Sequence, residues 1–161
     1  MKTLYIIRHA KSSWELDVKD HSRPLNEQGL NDAELIGKKL KTIVHNVDKI
    51  ISSDAQRAKS TAQIILNHLD FSNDIFQLEP RLYDFDGNQV IDVIKKCDDS
   101  IDTLMIFGHN YALTSIVNSF GSILIDNLPT AGVVAIKFKV STWENINKGK
   151  TILTVFPKEL R

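Results

Sequence analysis

Short apolar runs alternate with stretches of helical periodicity along the chain, and this alternation is typical of an α/β domain. Apolar runs predict strands of a largely buried, parallel sheet over residues 3–7, 47–52, 75–78 and 103–107. Apolar residues at helical spacing predict helices over residues 26–45, 55–69, 89–96 and 112–120. We expect Ser53 or Asp54 to cap the second of these helices.

The last part of the chain has a different pattern. Residues 136–140 alternate between apolar side chains and lysines, which predicts a strand with one face in water. Residues 151–156 predict a neighbouring strand across a turn at residues 145–150, so this edge of the sheet is expected to be antiparallel. We therefore predict one domain over residues 1–161, with a three-layer α/β/α architecture and a mostly parallel sheet with an antiparallel edge.

Composition narrows the classes of function. The 161 residues suit one domain with a full core, and 20 basic residues balance 20 acidic ones, so the formal net charge is zero. This balance argues against a protein that bulk charge holds on nucleic acid or on an anionic membrane. The single cysteine, Cys97, excludes an intrachain disulfide. Neither a membrane-spanning run of roughly 20 apolar residues nor a signal peptide pattern is present, so we expect a cytoplasmic protein.

Polar residues that could bind a ligand or take part in catalysis follow three of the predicted strands. Arg8 and His9 follow the first strand, Arg57 lies shortly after the second, and His109 follows the strand at residues 103–107. Because the carboxyl ends of parallel strands meet at one edge of a sheet, two guanidiniums and two imidazoles are expected to converge there. Arginine donors match phosphate oxygens, and a histidine held neutral by cationic neighbours keeps a lone pair for attack on phosphorus.

The residues around these positions resemble a known family. The segments "RHAKSSW", "SSDAQRAKSTA" and "MIFGHN" occur in the order of the motifs of the histidine phosphatase, or phosphoglycerate-mutase-like, superfamily. The segments "RPLNEQG" and "LPTAGV" are similar to parts of its small SixA-like branch, which contains phosphohistidine phosphatases. The resemblance runs from Thr3 to about Phe138 and implies the phosphoglycerate-mutase-like fold.

The resemblance implies a role for each matching residue. His9 would be the nucleophile and form a phosphohistidine intermediate, while Arg8, Arg57 and His109 would bind the phosphoryl group. Ser12 is a further candidate phosphate contact. The resemblance implies neither a metal nor a cofactor, and no histidine pair has a recognisable metal spacing with carboxylates.

Two positions depart from the commoner motif of the superfamily. Ala10 stands where many members have Gly, as in SixA-like members, and Glu15 stands where many have Asn. A carboxylate at that place would repel phosphate, so no phosphate contact is expected there. The roles of Lys11, Trp14 and His21 stay open at the level of sequence.

The general acid is the position on which the substrate class depends. Larger relatives place a Glu after the third strand, and in "EPRLYDFDG" Asp84 occupies the matching place, with Asp86 as a competitor. A phosphomonoester needs a proton on its departing oxygen, whereas phosphohistidine has a better leaving group and needs the acid less.

The sequence thus favours a metal-independent phosphatase that acts through a phosphohistidine on the enzyme. The expected substrate is phosphohistidine on a protein, because nothing in the short chain resembles the cap with which larger relatives enclose small sugars. The alternatives are a phosphatase for small phosphomonoesters and a non-catalytic phosphate-binding domain. No nucleic acid and no membrane partner is expected.

Overall fold

A single sheet of six strands runs through the computed structural model, which describes all residues from 1 to 161. The strands are β1 (Lys2–Arg8), β2 (Lys49–Ser52), β3 (Phe76–Leu78), β4 (Thr103–Gly108), β5 (Val133–Phe138) and β6 (Lys150–Val155). They lie in the order β3-β2-β4-β1-β5-β6. The first four in this order pair in parallel, while β5 and β6 pair antiparallel at the other edge. The predicted mixed α/β sheet is confirmed.

Helices cover both faces of the sheet. They are α1 (Glu27–Ile43), α2 (Gln56–His68), α3 (Asn88–Lys95), α4 (Ala112–Phe120) and the short α5 (Pro157–Leu160). Successive strand residues point to opposite faces, so β1 supplies Ile7 to the core under α1 and α2, and Leu4 and Ile6 to the core under α3 and α4. The architecture is the expected three layers, and no helix is long and apolar enough to cross a membrane.

The starts of α1 and α2 bring two loops to the same edge of the sheet. The Asn26 side chain caps α1 by accepting the Gly29 N–H at 2.8 Å. A Cβ on Gly29 would lie 2.0 Å from the carbonyl oxygen of Lys11, so only glycine allows the loop after β1 to approach the helix this closely. The expected cap of α2 was wrong: Ala55 is the N-cap, because Ser53 Oγ instead accepts the Ala55 N–H from within the preceding turn.

Candidate active site

The strand ends bring two histidines and two arginines together. β1 and β4 pair up to Arg8 and Gly108, so His9 and His109 leave the sheet side by side, and their ring centroids are 5.2 Å apart. Arg57 lies in the first turn of α2 beside them. His9, Arg57 and His109 are all buried, so their charges and dipoles act with little screening by water.

His9 is held as a neutral imidazole with a defined tautomer. Its Nδ1 lies 2.7 Å from the carbonyl oxygen of Ala10, which can only accept, so Nδ1 carries the proton and Nε2 keeps its lone pair. The Ala10 N–H donates to Thr61 Oγ1 at 2.8 Å, which fixes this peptide against α2. Burial lowers the pKa of His9 to about 3, with the positive charges of Arg57 and Arg8 adding to the effect and the bond to Ala10 opposing it.

His109 is oriented by Ser53. Its Nε2 lies 2.8 Å from Ser53 Oγ, which already accepts the Ala55 N–H at 3.1 Å. The hydroxyl proton of Ser53 has no other acceptor within hydrogen-bond distance, so we assign it to Nε2; this leaves the proton of the neutral ring on Nδ1, a buried atom without a partner in the protein. Burial lowers the pKa of His109 strongly, and the neighbouring His9 ring and the Arg57 guanidinium lower it further. The rings of Tyr83 and Phe85 pack around this imidazole, with centroids at 5.2 and 5.3 Å.

The two arginines are anchored at one end and unpaired at the other. Arg57 donates from Nη1 to the backbone oxygen of Asp20 at 2.7 Å and from Nη2 to its carboxylate at 3.0 Å. Arg8 donates from Nη1 to the oxygen of Leu128 at 2.9 Å. The Nε atoms of both arginines are buried without a partner. Leaving a buried donor unpaired costs about 1–3 kcal/mol, so these N–H groups are suited to receive an anion.

A third arginine, Arg23, joins the pocket and was not among the predicted site residues. It is buried, its Nε lies 3.2 Å from Asp20 Oδ1, and its positive charge contributes to the lowered pKa of His9. Its guanidinium lies 3.4 Å from the ring centroid of Trp14, which is 78% exposed and supports the arginine as a platform. The available signal was the segment "RPLNEQG", which contains Arg23.

Asp84 and Asp86 have contacts that differ from those of a general acid. The buried Asp84 carboxylate accepts four backbone N–H groups at 3.0–3.3 Å, from Asp86, Gly87, Gln89 and Val90. It therefore caps the start of α3, where anions are favoured. Asp86 is exposed, and its Oδ1 accepts the N–H of Asn88 at 2.9 Å. The predicted acid role of Asp84 is not supported by these contacts.

The other loop residues hold the loop or line its wall. Ser12 forms an antiparallel bridge with Leu25, and no hydrogen bond joins its hydroxyl to the arginines or histidines. Lys11 is exposed. His21 Nε2 lies 2.9 Å from Asp54 Oδ1, and the His21 ring meets the ring edge of Tyr83 at 5.0 Å. No group of three or more His, Cys, Asp or Glu side chains is placed to hold a metal ion.

Comparisons with known proteins identify the family and the fold of this chain. The sequence model of the "Histidine phosphatase superfamily (branch 1)" matches residues 4–90. The uncharacterized protein Rv1276c of Mycobacterium tuberculosis is 28% identical over 160 residues, covering 93% of this chain and 98% of that protein. The fold is similar to that of a protein histidine phosphatase SixA complexed with tungstate, with a TM-score of 0.83, 17% identity and 99% of each chain covered. A structure from Agrobacterium tumefaciens, assigned as the phosphohistidine phosphatase SixA, gives a TM-score of 0.80 at 21% identity, covering 96% of this chain and 97% of that chain.

Proposed function

This chain belongs to the histidine phosphatase superfamily, branch 1, and is a phosphatase; on that premise we propose that it transfers the phosphoryl group of a protein-borne phosphohistidine to His9 and then to water. The observation that carries the proposal is the neutral, buried His9, whose Nδ1 proton is bound to the Ala10 carbonyl and whose Nε2 lone pair is free. A nucleophile in this state needs no base to remove a proton before it attacks.

The proposed reaction has two steps. In the first, His9 Nε2 forms a bond to phosphorus, the P–N bond of the substrate breaks, and the departing imidazole takes up a proton from solvent. In the second, water attacks the phosphohistidine on His9, which releases orthophosphate and regenerates the free lone pair. Both steps pass charge onto the phosphoryl oxygens, where fixed donors stabilise the transition state.

Arg8, Arg57 and His109 are proposed to supply those donors. Each has a buried N–H without a protein partner, at Nε of the two arginines and at Nδ1 of the histidine. Arg23 Nη1 is a fourth buried donor of this kind, so we add this residue to the set. A contact from Ser12 is not part of the proposal, because the bridge to Leu25 gives this residue a backbone role in the loop.

The choice of phosphohistidine rests first on the leaving group. The two carboxylates expected to compete as general acid, Asp84 and Asp86, accept backbone N–H groups at the start of α3. An imidazole departs from phosphorus more readily than an alkoxide, so hydrolysis of a phosphoramidate proceeds without a positioned acid. The contacts of these carboxylates thus favour phosphohistidine over a phosphomonoester.

The surroundings of the pocket favour a substrate carried on a protein. Large apolar side chains are exposed on the loops that follow β1, β3, β4 and α4, and we call this set the apolar rim: Trp14, Leu16, Phe85, Tyr111 and Leu124. Trp14 supports Arg23, and Phe85 packs on His109, so both belong to the pocket mouth. The Tyr111 hydroxyl donates to Asp126 O at 2.6 Å, which joins the loop that carries Leu124 to the loop that follows His109. Exposed apolar groups around a pocket mark a surface for contact with a macromolecule.

A substrate panel tests the mechanism. Brief incubation of the wild-type protein with a radiolabelled phosphohistidine protein should trap label that is acid-labile and alkali-stable. His9→Ala should trap none and lose turnover, whereas His45→Ala, which changes an exposed histidine, should behave like the wild-type protein. Full turnover by His9→Ala would show that His9 is not the nucleophile.

The same panel tests the substrate class. The wild-type protein should turn over a phosphohistidine protein with a higher kcat/KM than p-nitrophenyl phosphate or sugar phosphates. Leu124→Ser should raise KM for the protein and leave p-nitrophenyl phosphate unaffected, and Ile152→Ser provides a matched control at an exposed residue of β6. A strong preference for a small ester would favour the alternative of a small phosphomonoesterase.

A further inference from the structure

The carboxylate of Asp20 lies among the groups that are proposed to hold the phosphoryl group. Its Oδ2 accepts from Arg57 Nη2 at 3.0 Å and from the Tyr83 hydroxyl at 2.5 Å, and its Oδ1 lies 3.2 Å from Arg23 Nε. The backbone oxygen of the same residue accepts from Arg57 Nη1 at 2.7 Å. One acidic residue therefore contacts two of the three arginines of the pocket.

The position of Asp20 is that of a group at the mouth of the pocket. Its side chain is 44% exposed, whereas the Arg57 side chain is 3% exposed. Desolvation opposes ionisation of this carboxyl, but hydrogen bonds from Tyr83 and Arg57 and the positive charges of Arg57 and Arg23 hold its pKa below the usual value. Asp20 is therefore a full negative charge against the Arg57 guanidinium, whose Nε is buried without a partner in the protein.

From this geometry we propose that Asp20 is an internal competitor for Arg57 and Arg23, which weakens the hold of the pocket on phosphate and so speeds release of the product. A phosphoryl dianion and the Asp20 carboxylate seek the same planar donors, since arginine matches both groups bidentately. The two anions also repel each other across the shared guanidinium. The proposal rests on the proposed function, because it requires that the pocket receives a phosphoryl group.

The charge balance of the pocket explains why such a competitor is useful. Three guanidiniums, those of Arg8, Arg23 and Arg57, contribute to the electrostatic environment of His9, and Asp20 is the carboxylate that touches two of them. Without it, the pocket would have one more net positive charge while it holds orthophosphate. An enzyme that binds its product too tightly is limited by product release, so a fixed negative charge at the mouth favours turnover.

Titration calorimetry with orthophosphate and with tungstate tests the proposal without relying on activity. Asp20→Asn removes the charge and keeps the size of the side chain, and it should tighten binding of both oxyanions on the order of tenfold. Asp20→Glu keeps the carboxylate and should bind them within about threefold of the wild-type affinity. Asp92→Asn is the matched control, because it removes a carboxylate on α3 that has a similar exposure (39%) and is paired with Arg81 and Lys96.

A kinetic measurement separates competition from simple positioning. With p-nitrophenyl phosphate as substrate, Asp20→Asn should lower both KM and the inhibition constant of orthophosphate. If Asp20 only held the arginines in place, Asp20→Asn would weaken oxyanion binding, and that result would overturn the proposal. Unchanged affinity within twofold would overturn it as well. If thermal melts show that Asp20→Asn is unfolded, Asp20→Ser replaces it, because this substitution makes the same change of charge.

The same binding measurements distinguish a wrong assignment of the phosphate pocket from a wrong role of Asp20. If neither oxyanion binds to the wild-type protein or to Asp20→Asn, the phosphate pocket itself is wrong, and the inference falls with it. If both bind to the wild-type protein and equally to Asp20→Asn, only the role of Asp20 is refuted.

Discussion

Acid should destabilise this protein through its two active-site histidines. Both imidazoles are buried in the folded state, and their pKa values lie far below the ordinary value of 6.5, at about 3 for His9. In the unfolded chain each titrates near the ordinary value of about 6.5. Below that pH the unfolded state therefore binds more protons than the folded state, and the free energy of unfolding falls as the pH falls. The effect is absent above the unfolded pKa and grows until the pH reaches the folded pKa.

The size of the effect follows from the two pKa values. At pH 5, protonation of one histidine in the unfolded state lowers the free energy of unfolding by about 2 kcal/mol. Any pKa below about 4 in the folded state gives nearly the same figure. His9 and His109 together should thus remove about 4 kcal/mol between pH 8 and pH 5. Domains of this size have a total stability of about 5–15 kcal/mol, so the loss is large enough to measure.

Urea denaturation at pH 8 and pH 5, in buffers free of phosphate, measures this loss. The difference in unfolding free energy between the two pH values should be about 4 kcal/mol smaller in His9→Gln/His109→Gln than in the wild-type protein. His45→Gln, at an exposed position, controls for the substitution itself. If the double variant and the wild-type protein have the same pH dependence within about 1 kcal/mol, the histidines are not held neutral by the fold.

Three further predictions concern single side chains. Ser53→Ala removes the partner of His109 Nε2 and should lower kcat by about 10-fold or more with a small change in KM, because the ring loses its fixed tautomer; a KM effect alone would contradict this. Asp84→Asn should lower stability by about 1 kcal/mol in urea denaturation and keep kcat for a sugar phosphate, whose alkoxide must take up a proton as it leaves, within about threefold, whereas loss of a general acid would lower that kcat about 100-fold or more. Lys2→Ala removes the ammonium that donates to the carbonyls of Asp99 and Ile101 at 2.6 and 2.9 Å. It should lower the free energy of unfolding by about 2–4 kcal/mol, and a urea midpoint equal to that of the wild-type protein would refute this.

Periodicity predicted most of the fold because it reports which side of an element is buried. The apolar run at residues 103–107 became the central strand β4, and the alternation at residues 136–140 marked β5 next to the antiparallel edge. Spacing alone was less accurate within helices. Leu30 lies at a helical spacing from the core residues of α1 but is 47% exposed, while Ile36 is fully buried. The rotation of a helix about its axis depends on packing partners that are distant in sequence.

The site was predictable where a residue follows directly from a strand. Arg8, His9 and His109 leave β1 and β4, so the topology of a parallel sheet is enough to bring them together. Contacts made by loops were not predictable in this way. The side chains of Asp20 and Arg23 reach the pocket only because the loop after β1 folds back on α1 and α2. Asp84 is a different case, since its place in the sequence matches an acid while its carboxylate accepts backbone N–H groups at the start of α3.

The lowered pKa of the buried His9 affects both the mechanism and the stability of the protein. Desolvation lowers its pKa to about 3, so the nucleophile keeps its lone pair throughout the range from pH 5 to pH 8. The same desolvation makes the folded state progressively less stable below the unfolded pKa of about 6.5. Loss of activity in acid should therefore follow unfolding of the protein rather than protonation of the nucleophile. A ligand that fills the pocket stabilises the folded state by mass action and should shift both losses to lower pH together.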